Sequence, residues 1–125
     1  VTSSPPATRR RLSRAGEFDA VYRHGRSASS RHLVAYVFRR EPADDEPARL
    51  GLSVSRKVGG AVERNRLKRL LREALTALGP GVPSGADVVV VARAGLAETA
   101  EARGLTWLTA ELGDLLAQAS NGARP

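Results

Sequence analysis

Between residues 64 and 72 the chain reads Arg-Asn-Arg-Leu-Lys-Arg-Leu-Leu-Arg, a run whose cations recur at helical spacing. With Arg64 set to zero and about 100° per residue, Lys68, Arg72, Asn65, Arg69 and Arg66 fall between about 40° and about 200°. Leu70, Ala74, Leu67, Leu78, Leu71 and Leu75 occupy the remaining arc, from about 240° round to about 20°. A solvated charged face mixes signs in i,i+4 pairs, whereas here five cations meet only Glu63 and Glu73. Cations near a helix N-terminus also oppose the macrodipole, at a cost of roughly 0.3–1 kcal/mol each. A helix beginning near Val62 puts Arg64 and Arg66 in its first turn, so the pattern reads as stability given up for a polyanion site.

Two further groups adjoin this run. Ser53, Ser55, Arg56 and Lys57 stand just before it, and small hydroxyls beside two cations can hold phosphates. Four of the five aromatic residues, Phe18, Tyr22, Tyr36 and Phe38, lie between residues 18 and 38. Phe18 and Tyr22 share a helical face, and Tyr36 and Phe38 share a strand face. A shallow cleft between that helix and the sheet can stack unpaired bases, at roughly 1–3 kcal/mol per base. Core packing competes with this for Phe18 and Phe38, while the tyrosines, with polar tips, suit a wet cleft.

Groups able to make or break covalent bonds are missing. Cys is absent, which removes disulfides, thiolate metal sites and cysteine nucleophiles together. His24 and His32 have no partner at a metal-ligand spacing. Asp44, Asp45 and Glu46 fall in a proline-bounded loop, where solvation is the simpler account. Neither a catalytic protein residue nor a protein metal site is therefore expected.

The charge balance agrees with a binding role. The 125 residues carry 20 Lys and Arg against 13 Asp and Glu, a net of +7, and 18 of the 20 cations are Arg. Residues 1–72 hold +10 and residues 73–125 hold −3. Nucleic acid is the commonest partner of such an asymmetry, and the arginine fork suits phosphates and base edges. No run of about eighteen apolar residues is present, so no membrane span is expected, and a reducing cytoplasm fits the absence of Cys.

The elements that must position these residues form one domain over 12–119, between a basic tail at 1–11 and a short tail at 120–125. Ser13 can cap a short helix carrying Phe18, Val21 and Tyr22, closed by Gly25. Leu33–Phe38 and Leu50–Val54 read as strands, expected to form a hairpin around the loop 41–47. The basic helix follows to Leu78 and stops at Gly79-Pro80-Gly81. The apolar run Ala86–Ala92 reads as a mid-sheet strand, and a Leu stripe near Trp107 predicts a helix over about 104–119, ended by Asn121-Gly122. The order indicates an α+β layer arrangement.

The stretch Gly51-Leu-Ser-Val-Ser-Arg-Lys-Val-Gly-Gly-Ala-Val62, with Arg64-Asn65-Arg66, Lys68-Arg69 and Arg72-Glu73, closely resembles the signature of the bacterial ribonuclease P protein family. Phe18, Val21, Tyr22 and His24-Gly25 resemble its first helix, Tyr36 its strand aromatic and Val88–Arg93 a later strand, so the likeness covers roughly residues 9–118. The resemblance implies a two-layer α+β sandwich with a mostly antiparallel central sheet, a ribosomal-protein-like αβββαβα topology and a left-handed βαβ crossover. It implies a subunit that assists a catalytic RNA in removing the 5′ leader of precursor tRNA. In that family the RNA and its bound Mg²⁺ perform the hydrolysis. It further implies that Arg56, Lys57, Arg64, Asn65, Arg66, Lys68, Arg69 and Arg72 contact the catalytic RNA, one protein to one RNA. Phe18, Tyr22 and Tyr36, with Ser53 and Ser55, would line the leader cleft. The rival readings are a generic RNA-binding or ribosomal-type protein and, less compatible with the missing acidic cluster, a self-sufficient nuclease.

Overall fold

A computed structural model describes residues 11–12 and 15–121 of the chain. In chain order the elements are α1 (Ala15–His24), β1 (Arg26–Ser29), β2 (Leu33–Arg39), β3 (Arg49–Val54), α2 (Ala61–Leu78), β4 (Ala86–Ala92) and α3 (Leu96–Asn121). The sheet order is β1-β2-β4-β3, with β3 and β4 parallel and the other pairs antiparallel. The expected α+β architecture, mostly antiparallel sheet and αβββαβα order are all present.

The expected hairpin of β2 and β3 does not form, because β4 lies between them. Val88, Val89 and Val90 are fully buried, so β4 is apolar on both faces and gains most from the central place. The loop 41–47 does not make a tight turn either. It wraps the Arg40 guanidinium, which donates to Asp44, to the Glu46 and Pro47 carbonyls and to Ala86 O. Strand β1 gave little signal in the sequence, being four residues of Arg, Ser and Ala held by pairing with β2.

The two sheet faces bury different sets. Leu33, Ala35 and Val37 of β2, with Val88, Val90 and Ala92 of β4, join Leu67, Leu71, Ala74 and Leu75 of α2 and Leu108, Leu112, Leu115 and Leu116 of α3 in the main core. The apolar arc predicted for α2 is thus the arc that is buried. On the opposite face Val21 of α1 is completely buried with Leu12 and Val89, and Phe18, Tyr36, Phe38 and Val91 pack around them. A buried Val contributes on the order of 1.5–3 kcal/mol, so this small cluster is what fastens α1 to the sheet.

The boundaries differ in three places. α2 starts at Ala61 behind Gly60, whose N–H donates to Glu63 Oε1 at 2.8 Å. Arg64, the fourth residue of α2, therefore sits at the end of the first turn beside the favourable Glu63, and Arg66 lies beyond it, so the macrodipole cost expected for them is smaller because it fades past that turn. α3 starts eight residues before the expected 104, and the break read there is a kink at Gly104, where φ is +88°. Arg11, the last residue of the expected basic tail, bridges to Leu50 of β3, and Leu12 N–H donates to Leu50 O. The Ser13 cap, the rest of the basic tail and Gly122 lie outside the described residues.

Candidate nucleic-acid interface

The exposed side of α2 is built by default: burying the Leu67–Leu75 stripe turns the opposite arc to solvent. Asn65, Arg66, Arg69 and Arg72 are exposed, and Arg64 and Lys68 are half-buried. Arg56 and Lys57 are exposed in the turn that leads into α2. That turn is fixed locally: Val58 N–H donates to Ser55 O at 3.0 Å, Gly59 N–H to Arg56 O at 3.2 Å, and Lys57 N–H to the Ser55 hydroxyl at 3.3 Å.

Among the described residues, Arg56, Lys57, Arg64, Arg66, Lys68, Arg69 and Arg72 make no ion pair, unlike Arg23, Arg40 and Arg49. Arg64 Nε is buried and has no hydrogen-bond partner, a donor that costs energy to leave unmade. Desolvation, and then repulsion from Arg11, pushes the Arg72 guanidinium below its usual range. Cations held close without carboxylates form a positive field, and phosphate is the group that answers it.

The aromatic cleft lies across the sheet, on the α1 face. Tyr36 is opposite Val89, which is opposite Gly51, and the next row runs Val34, Val91, Ser53. The Tyr22 and Tyr36 rings meet edge-on with centroids 4.9 Å apart, and Tyr22 is 40% exposed. Phe18 is half-buried with its ring over Gly51 and serves mainly to pack α1. Phe38 joins the same small core, near His24. Ser53 ends the open row on the cleft floor, whereas Ser55 sits beyond the strand and shapes the turn. The structure therefore brings Tyr22, Tyr36 and Ser53 onto one face of the sheet and places the α2 cations on a separate surface beyond the β3–α2 turn.

Asp87, the lone charge in the β4 run, is 3% exposed. It accepts from Arg49 Nε at 2.7 Å, from Arg49 Nη2 and from Arg40 Nη1 at 3.0 Å. Arg49 also pairs with Glu17 of α1 at 3.5 Å, so the network ties β2, β3, β4 and α1 together. Asp44, read from sequence as simply solvated, is held by Arg40. Asp87 carried its own signal, since a carboxylate inside a buried strand requires partners. Arg40 and Arg49 thus belong to structure, and the overall cation excess overstates what is left for a ligand.

No group of three or more His, Cys, Asp and Glu among the described residues is arranged to hold a metal ion, and the α2 face is cationic. These residues do not fit a Mg²⁺ site. No helix among the described residues is long and apolar enough to cross a membrane.

The Ribonuclease P family profile matches residues 7–120. The chain belongs to the ribonuclease P protein family. A ribonuclease P protein component from an Exiguobacterium species is 51% identical over 83 residues, 66% of this chain and 69% of that protein. One from Bacillus cereus is 43% identical over 88 residues, 70% of this chain and 75% of the other. Among solved structures, the Staphylococcus aureus RNase P protein aligns with a TM-score of 0.72 at 28% identity, covering 90% of this chain and 96% of that one. The Thermotoga maritima RNase P protein gives 0.74 at 31% identity, covering 86% and 96%. Family membership places the chain in tRNA processing, as a ribonuclease P protein component of a ribonucleoprotein.

Proposed function

We propose that the chain is the RNA-binding subunit of ribonuclease P, holding the catalytic RNA on the α2 face and the single-stranded 5′ leader of precursor tRNA in the cleft of Tyr22, Tyr36 and Ser53. In this reading phosphodiester hydrolysis belongs to the RNA together with Mg²⁺ that the RNA binds, one protein serves one RNA, and the assembly works in the cytoplasm. The observation that carries it is that, among the described residues, the seven cations from Arg56 to Arg72 make no ion pair, while an aromatic cleft lies on the other side of the β3–α2 turn. Cations placed among crowded phosphates replace counterions, which lowers the Mg²⁺ needed for an active assembly. Two tyrosines, one on α1 and one on the sheet beneath it, suit stacked unpaired bases better than a duplex.

The test is precursor-tRNA cleavage at low Mg²⁺ by protein alone, by bacterial ribonuclease P RNA alone, by both and by neither. Cleavage only with both is the expected result. Failure to stimulate a competent RNA returns the chain to a generic RNA-binding role. The protein-alone sample has a specific reason: one structural neighbour is a Staphylococcus aureus RNase P protein mutant described as having defective mRNA degradation activity. Cleavage in that sample overturns the assignment of chemistry to the RNA.

A further inference from the structure

On the side of the sheet away from the leader cleft, an open groove of about 1060 Å³ lies between the β1–β2 loop, the β3–α2 turn and α3. That is just above the roughly 300–1,000 Å³ typical of small-molecule sites. Its walls carry two flat rings, His32 and Trp107, whose centroids lie 5.9 Å apart in an edge-on arrangement. Arg103 sits over the indole, its guanidinium carbon 5.8 Å from the ring centroid. Arg31 and Lys57 add two more cations, and Glu98 and Glu111 add two carboxylates.

The floor is rigid. His32 Nε2 and Thr99 Oγ1 are hydrogen-bonded at 3.2 Å, and Arg93 N–H donates to His32 O at 2.9 Å. Gly95, with φ at +93°, turns the chain beneath the His32 ring, which a Cβ there would approach to 3.7 Å. The charged walls, by contrast, are not paired with one another. Among the described residues none of Arg31, Lys57, Arg103, Glu98 and Glu111 is in an ion pair, although both signs line one groove. A surface serving only solubility or stability would let them pair.

We propose that this groove is a second nucleotide subsite, taking an unpaired nucleotide whose base lies against Trp107 and His32 and whose phosphate is held by Arg31, Lys57 and Arg103. Rings and arginine planes stack bases of any identity. The carboxylates of Glu98 and Glu111 accept from exocyclic amino groups, which favours amino-bearing bases. Lys57 lies both in this groove and in the turn that precedes α2, so a strand on the basic helix can continue into the groove. The occupant is a free mononucleotide or an unpaired nucleotide of the partner RNA; only the second rests on the reading given under Proposed function.

Trp107 is the single tryptophan, so its emission reports on the groove without a label. The full chain is titrated with AMP, GMP, CMP and UMP, and separately with ribonuclease P RNA, while stimulation of precursor cleavage is followed in the same preparations. Saturable quenching is expected, retained in Tyr36→Ala and shifted to roughly tenfold higher ligand concentration in Arg31→Ala. Quenching by mononucleotides assigns a free-nucleotide site, and quenching by RNA alone assigns a nucleotide of the RNA. An unmoved emission in both arms overturns the subsite, as does quenching that vanishes in Tyr36→Ala or ignores Arg31→Ala. A silent Trp107 with cleavage still stimulated removes the groove and leaves the proposed function standing; quenching by mononucleotides without stimulation does the reverse.

Discussion

The Phe18 ring lies directly against the backbone of Gly51, so that a Cβ added at Gly51 would fall 2.7 Å from Phe18 Cζ and 3.4 Å from Leu12 Cβ. The missing side chain in β3 is what lets α1 approach the sheet and bring Tyr22 to Tyr36. Gly51→Ala must displace that ring, and overpacking of this kind costs about 1–3 kcal/mol. Urea unfolding of Gly51→Ala, Phe18→Leu and the double variant checks it: the alanine should cost less when Phe18 is already shortened. Additive losses would show that Gly51 acts through β3 alone.

Tyr36 stands in the middle of the α1 face, opposite Ser27 on one side and Val89 on the other. Removing a stacking ring costs roughly 1–3 kcal/mol per base. Tyr36→Ala should therefore weaken binding of leader-bearing precursor to the assembled enzyme by about tenfold or more, with affinity for mature tRNA nearly unchanged and Tyr36→Phe close to the parent. Equal losses for both RNAs would take Tyr36 out of the leader cleft, since a lost packing contact with Tyr22 would disturb both alike.

The features legible in the sequence were those set by local pattern. The 3.6-residue period of Leu67, Leu71 and Leu75 located α2 to within a residue, and the unbroken Ala86–Ala92 run placed β4 inside the sheet. Strand partnership was not local: Leu33–Phe38 and Leu50–Val54 look like neighbours in sequence, and only the competition for a doubly covered position puts β4 between them. The cations were visible as a count, but their sorting was not. Arg40 and Arg49 are absorbed by Asp87 across sequence separations of 47 and 38 residues, distances no window detects. Trp107 was noticed only as a member of a helix, because Arg31, His32 and Lys57 reach it from two other elements.

Arg64 and Arg66 test the basic face. Arg66 is exposed, Arg64 is half-buried with Nε unpartnered, and neither belongs to the main core. Alanine at either position should change folding stability by no more than about 0.5 kcal/mol, the usual range for surface sites. Assembly with the RNA should weaken clearly. With about six phosphates neutralised, log K should fall against log salt with a slope of about −4, and each lost phosphate contact should flatten it by roughly 0.7. A parent slope near zero, or a variant that unfolds earlier, would show that these residues serve the fold instead.

Acid should loosen the loop 41–47 before it reaches the apolar core. The Arg40 guanidinium beside Asp44 holds that carboxyl at about 2, below its ordinary 3.8, through a side-chain hydrogen bond assisted by the Glu46 N–H. A carboxyl whose folded value is depressed binds its proton more readily in the unfolded chain, so the unfolded state gains as pH falls. The stabilisation from Asp44 is complete above about pH 4 and drains away between there and about pH 2. Unfolding midpoints measured from pH 6 to pH 2 should drop more steeply for the parent than for Asp44→Asn, which carries no proton to bind, and the two curves should converge at the acid end. Parallel curves would mean that Arg40 is held mainly by Asp87 and the carbonyls of residues 46, 47 and 86, with Asp44 contributing nothing that titrates.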